Sequence, residues 1–236
     1  LDYTTLSDQI QAFTENTFPD TGTYEGGAVT SKDQLDRFIK LAEQRIYNSV
    51  QFPSLRKNVL GALSTGIKYL STPGDFLAVY SIAVIAPNGD YEFLLNKDVN
   101  FIRQAYPNPL SIGFPRYYAL FGSTTTSDVP PVITNELSVI LGPTPDQTYP
   151  VELHYYYYPV SIVEAADGRT WLGDNFDSVL LYGALVEAGI FMKAEAETLT
   201  IYQTKYADAL AQAKRLGDGM ERGDAFRNGQ YRQAVT

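Results

Sequence analysis

The chain has one histidine, His154, in the stretch "VELHYYYYPV", and it is the side chain most able to move a proton near neutral pH. Base catalysis would need it beside a nucleophile and an orienting carboxylate, as in a Ser-His-Asp arrangement. It lies mid-strand among tyrosines instead, and no nucleophile-elbow motif accompanies it. Metal chemistry is no better supplied. With no cysteine and one histidine only carboxylates remain, and "DGRTWLGDNFD" lacks the spacing of a calcium loop. The nearest approach to a phosphate loop, "STGIKYL", lacks the required spacing and precedes a strand. The residues therefore predict no catalytic site, no cofactor and no metal site, and a protein that is not an enzyme.

His154 must be positioned by a β-strand, in which successive side chains point to opposite faces. Val151, Leu153, Tyr155 and Tyr157 then share a core face, and Glu152, His154, Tyr156 and Tyr158 the other. Two rings and an imidazole are too apolar to leave wet without a reason. Either a second layer of the same chain covers this face or another molecule does.

Helices bracket a long β-rich middle. "TTLSDQIQAFTEN" places Leu6, Ile10 and Phe13 on one helical face behind Thr4 or Thr5 as cap. A Gly- and Thr-rich loop, "TFPDTGTYEGGAVT", follows. In the next helix Ser31 and Gln34 have capping-box spacing, and Leu35, Phe38, Ile39, Ala42 and Ile46 recur at helical intervals. Asn88-Gly89 between apolar runs predicts a hairpin. Asp98 caps a short helix that ends before Pro107, with Phe101, Ile102 and Ala105 inward. "PRYYALFG", "ELSVILG" and "VELHYYYY" are strands, and the polar run "STTTSDVPPVITN" is a hairpin tip or a loop that reaches a partner. After Trp171, Asp174 caps a helix with Phe176, Val179, Leu180, Gly183, Val186 or Glu187, and Ile190 along its stripe. A last helix, about Leu199 to Leu216, with Tyr202, Tyr206, Ala209, Leu210 and Ala213 inward, closes at Gly217.

The expected architecture is α+β. Residues 1–54 and 170–216 form a helical bundle, 55–169 an inserted antiparallel β-rich domain, and 217–236 an extended C-terminal arm. Loop closure across the insertion costs little, because that cost grows only logarithmically with length.

Composition narrows function further. Hydrophobic residues make up 44%, enough for a core, yet no apolar run approaches the ~18 residues of a membrane span. No secretory leader pattern is seen, and the lack of cysteine is compatible with a cytosolic origin. A formal charge of −9 argues against gripping nucleic acid by its phosphates, though not against letting DNA slide past. Tyrosine is the unusual count, 18 with 12 Phe and one Trp, a composition suited to subunit interfaces or to sugar platforms. From Lys214 onward the chain carries five basic and three acidic residues, so its end is basic while the remainder carries −11. A basic, aromatic-dotted arm suits folding on a partner.

Several stretches occur in the order found in head-to-tail adaptor (neck) proteins of tailed bacteriophages. They are "SDQIQAFTEN", "QRIYNSVQFPSLRKN", "KYLSTPGDFLAVYSIAV", "KDVNFIRQAYPNP", "LGPTPDQTYPVELHYYYYP" and "WLGDNFDSVLLYGALVEA". The chain resembles that family over most of its length. The Gly-rich loop after Phe18 and the 123–135 tip depart from it. The resemblance implies a virion protein that forms a dodecameric ring between portal and tail, assembled in the host cytoplasm. Partners would be the portal protein, neighbouring copies and a downstream tail or nozzle protein, with double-stranded DNA passing through unbound. On this basis Arg222, Phe226, Arg227 and Tyr231 are expected at the portal, and His154, Tyr156 and Tyr158 at a subunit or tail interface. Two other readings compete: a carbohydrate-binding module that stacks sugars on tyrosines, and a tail-fibre or baseplate component. The sugar reading would favour Trp on loop tips, whereas the lone Trp171 precedes a helix.

Overall fold

A computed structural model of the chain describes residues 1–24, 27–108, 110–122 and 137–227, side chains excepted at 21–24, 27–28 and 218–227. The fold is α+β. In chain order the elements begin with α1 (Tyr3–Thr14), β1 (Thr21–Tyr24), β2 (Gly27–Val29) and α2 (Ser31–Ser49). The middle comprises β3 (Arg56–Leu63), β4 (Tyr69–Ser71), β5 (Ala78–Ile85), β6 (Tyr91–Phe93), β7 (Leu95–Asn96), α3 (Val99–Ala105), β8 (Ile112–Gly113), β9 (Tyr117–Phe121), β10 (Ser138–Gly142), β11 (Thr144–Pro145) and β12 (Tyr149–Tyr156). The chain ends in α4 (Trp171–Asn175), α5 (Asp177–Met192) and α6 (Ala196–Arg227). Two compact units result: Leu1–Leu55 with Tyr158–Thr236, and Arg56–Tyr157. No helix among the described residues is long and apolar enough to cross a membrane.

In the helical unit, α5 carries apolar residues on more than one side, and α1, α2, α4 and α6 all pack against it. Gly183 permits a close approach, since a Cβ there would lie 3.1 Å from Ala42 and 3.3 Å from the Tyr206 ring. The stripe Leu35, Phe38, Ile39, Ala42 and Ile46 of α2 is buried as its spacing predicts. Caps differ from expectation by one or two residues. Asp2, not Thr4 or Thr5, caps α1 by accepting from the Thr5 amide. Thr30 and Asp33 make the capping box of α2, and Gln34 is buried and donates to the Pro19 carbonyl. Thr170 caps α4, Asp174 sits in its first turn, and Phe176 interrupts the helix before α5. The Gly- and Thr-rich stretch expected as loop contains the antiparallel pair β1–β2.

The last helix does not close at Gly217. It continues to Arg227, so the first part of the expected extended arm is helical. Gly217 serves packing here: a Cβ would meet the Gln51 carbonyl at 3.1 Å and Val50 at 3.2 Å, where α6 passes the chain just beyond α2. A glycine that admits a neighbouring backbone and a glycine that ends a helix look alike in one sequence.

The other unit stacks two four-stranded sheets. One has the order β3-β12-β5-β6 and is antiparallel throughout. The second has the order β4-β10-β9-β7 and departs from the expected antiparallel pattern, because β7 runs parallel to β9. A short parallel pair, β8 with β11, accompanies them. Ile82, Val84, Val151, Leu153 and Tyr155 of the first sheet form one core cluster with Tyr118, Val139 and Leu141 of the second. Helix α3, capped by Asp98 as predicted, packs on β9 and β10 through Ile102, Val99 and Tyr106. Phe101, expected inward, is exposed and meets the Tyr117 ring edge-on. The β5–β6 hairpin turns at Asn88-Gly89, where Gly89 has φ +89°. The 123–135 run lies outside the described residues.

Candidate functional site

Strand β12 alternates as its sequence predicts. Val151, Leu153 and Tyr155 are buried, while Glu152, His154 and Tyr156 are partly exposed, His154 more than Glu152. Tyr155 lies 5.8 Å from the Phe76 ring, and its hydroxyl donates to Asp75 Oδ1 at 2.8 Å. Burial raises the pKa of this phenol, with the Asp75 hydrogen bond adding in the same direction. The same carboxylate pairs with Lys57 at 2.8 Å, and that contact holds Asp75 below the ordinary carboxylate range.

On the opposite face His154 Nδ1 stands 3.4 Å from Ser81 Oγ, and Nε2 stands 3.8 Å from Glu152. Glu152 also accepts from Asn58 across β3. A register shift between β12 and β5 at His154/Tyr155 leaves Tyr80 between partners. Its ring meets Tyr156 edge-on at 5.9 Å, and the Arg56 guanidinium lies 4.7 Å from the same ring. His154 therefore belongs to a cross-strand polar network with a serine, an acid and an amide around it. The arrangement orders a surface; it does not line up a nucleophile, base and orienting acid over a cleft.

Tyr158 does not share this face. Pairing stops at Tyr156, and the Tyr158 hydroxyl donates to Asn48 of α2, with its ring 6.4 Å from Tyr47. Strict alternation through Tyr158 overextended the strand by two residues. Among the expected interface residues, His154 and Tyr156 come together and Tyr158 joins the helical unit.

The surface residues that sequence reasoning missed lie on the edges of the same sheet. Leu60 of β3 is 70% exposed, and Tyr91 and Phe93 of β6 are 54% and 64% exposed. Register places Phe93 opposite Ala83 and Leu60 opposite Glu152, on the face that carries His154. "NVLGAL" and "YEFLL" carry apolar residues at both parities. That pattern was the available signal for apolar residues on the outer face, since a strand with one face in water alternates cleanly.

A family model described as SU10 adaptor protein matches residues 1–233. The chain belongs to the SU10 adaptor protein family. It is a structural adaptor of a bacteriophage, in agreement with the resemblance carried by its ordered motifs. A search of the curated proteins finds no match.

In this adaptor the helical unit is held by polar contacts as well as by its core. Glu43 is buried, accepts the Ile162 amide at 2.9 Å, and thereby fixes the turn at Ser161–Ala165 onto α2. Residues 158–169 thus fall with the helices. Burial raises the Glu43 pKa, partly offset by hydrogen bonds from Ser161 and the Ile162 amide. Arg45 pairs with Glu187, and Lys40 with Glu164 at 2.6 Å. Trp171 is engaged edge-on by Phe52 at 5.1 Å and lies 5.6 Å from Phe176, so the adaptor's lone indole is part of an aromatic cluster. Among the described residues no three potential ligands from His, Asp and Glu gather around a metal position. Arg222, Phe226 and Arg227 lie on the last turns of α6, their side chains undescribed, and Tyr231 lies outside the described residues.

Proposed function

We propose that this adaptor closes into a dodecameric ring between the portal of the phage head and the tail, where it completes the DNA channel and supports tail attachment. The observation that carries the reading is the match to an adaptor family from residue 1 to residue 233, which covers both units. Its partners are the portal protein, neighbouring copies and a downstream tail or nozzle protein. A ring subunit meets its neighbours through heterologous contacts that close by rotation, so it needs two complementary faces in addition to its core. The exposed aromatic and aliphatic side chains of β3 and β6, and Tyr156 beside them, supply surface of the right kind. The net charge of −9 favours passage of duplex DNA without retention.

Arg222, Phe226, Arg227 and Tyr231 are the proposed portal contacts, at the basic end of the chain. His154, Tyr156 and Tyr158 are the proposed subunit or tail contacts. The deciding experiment is to mix purified adaptor with portal and measure particle mass and symmetry. Twelve copies per portal are expected, with loss of binding on deletion from Gly219 onward. Absence of any complex would overturn the reading.

A further inference from the structure

Among the described residues no further strand pairs with either edge of the sheet β3-β12-β5-β6, and the two edges are of unequal kind. Strand β3 spans eight residues and is exposed at six consecutive positions, while β6 spans three, all exposed. Neither carries a proline, a common device for blunting an edge, and the charges they do carry are complementary. Strand β3 holds Arg56 and Lys57 and no acid; β6 holds Glu92, preceded by Asp90, and no base. Lys57 keeps Asp75 as a partner within its own chain, so this edge is less basic than its formal charge.

Direction and parity agree as well. Each step from β3 to β12 to β5 to β6 is antiparallel, so β3 and β6 run in opposite senses. An even number of antiparallel strands is the condition under which a second copy, set alongside in the same orientation, offers its β3 antiparallel to the first copy's β6. Leu60 and Phe93 then lie on one face, and Lys57 and Glu92 on the other. The three residues of β6 limit the ladder to about three pairs, short enough to accommodate the angle that sheet twist imposes between copies.

We infer that β3 of one copy pairs antiparallel with β6 of the next, joining neighbouring adaptors edge to edge with Leu60 packed against Phe93 of the adjacent copy. The occupant of each edge is a second copy of this chain. The inference deepens the ring reading and rests on it. A heterologous joint of this type leaves a fresh β3 or β6 at either end and so propagates, whereas a β3–β3 joint stops at a dimer.

The absence of cysteine in the chain makes the test direct. Leu60→Cys and Phe93→Cys are introduced together and singly. Both positions are exposed, so unchanged denaturation midpoints are expected of the monomers. Each variant is assembled on portal and treated with a short bismaleimide, whose reach of about 8 Å spans one register step either way. The double variant is expected to give a ladder of covalent oligomers well beyond dimer, and each single variant none. Leu60→Lys should raise the adaptor concentration needed for assembly at least tenfold. A complete ring with no ladder, dimers from Leu60→Cys alone, or wild-type assembly by Leu60→Lys would each overturn the edge joint and leave the ring reading intact. If the wild-type chain forms no ring on portal, both fall.

Discussion

The two sheets of the β unit obey the same alternation and end in different places. In the second sheet β10 is buried at all five positions, because Val139 and Leu141 face the first sheet while Ile140 faces α3. In the first sheet β12 is buried only at every other residue, and the neighbouring edges expose Leu60, Tyr91 and Phe93. Among the described residues, one sheet has a third layer supplied by its own unit, and the other has none from that unit. A strand buried on both faces reads as a continuous apolar run, "SVILG", and a half-covered one as "VELHYY". The tyrosines mark the intermediate case, with rings apolar enough to pack on a neighbour and hydroxyls polar enough to face water.

The largest effect should come from breaking the covered side. Ile140→Ala removes a side chain that is 1% exposed and leaves a cavity beneath α3. A loss of about 2–5 kcal/mol is expected in chemical denaturation. The corresponding change on the open side, Leu60→Ala, should stay within about 0.5 kcal/mol. Equal costs at the two positions would mean that the exposed face is packed in the free protein, and the contrast would be lost.

Gly142, at the end of β10, sharpens the same contrast more gently. A Cβ there would lie 2.9 Å from Ile102 and 3.0 Å from the Tyr106 ring, so the last turn of α3 rests on the absence of a side chain. Gly142→Val should displace α3 and cost about 1–3 kcal/mol. Amide exchange should rise first in Val99–Ala105 and leave β12 protected. Uniform loss of protection across both sheets would show that α3 and the sandwich unfold as one.

These cases show what one sequence can and cannot disclose. The α2 stripe, the β12 alternation, the Asn88-Gly89 turn and the Asp98 cap were legible because each depends on residues within a turn or a strand of one another. Helix ends were less so. Thr30 and Ser31 are both good caps, and only the return of Asp33 onto Thr30 selects between them. The length of α6 was not legible, since Gly217 answers to Gln51, which is remote in sequence. The strand limit at Tyr156 failed for the same kind of reason: Tyr158 is claimed by Asn48. Parity placed His154 and Tyr156 on the partly exposed face, whereas the exposure of Leu60 and Phe93 was not legible, because which strand lies at an edge depends on pairing with residues remote in sequence.

On the buried side of the open sheet, Tyr155 and Asp75 give a smaller and separable effect. Asp75→Ala leaves the Tyr155 hydroxyl without its acceptor in a part-buried position, at a cost of about 1–2 kcal/mol. Tyr155→Phe should cost about 1 kcal/mol, and the double variant less than the sum of the two. Additive losses would show that the hydroxyl finds another partner when Asp75 is gone.

The least perturbing prediction sets two carboxylates against each other. Asp75, held low by Lys57, stabilises the fold above the ordinary Asp range, and that contribution is lost as pH falls through its depressed folded value. Glu43 behaves in the opposite sense. Burial raises its folded value, so the neutral acid suits the native state and the charged form does not. Below the unfolded Glu value of about 4.3 both states are protonated at this site and the full benefit is present. As pH rises from there through the raised folded value, that benefit disappears. Glu43→Gln keeps an oxygen to accept the Ile162 amide but cannot ionise. The variant should match the wild type near pH 4 and become progressively more stable than it toward pH 7. Urea midpoints for both proteins at pH 4, 5.5 and 7 measure this difference, from which every other titrating group common to the pair cancels. Parallel curves would mean that the two hydrogen bonds to Glu43 fully offset its burial, and that the turn at Ser161–Ala165 is held by an anion at no cost.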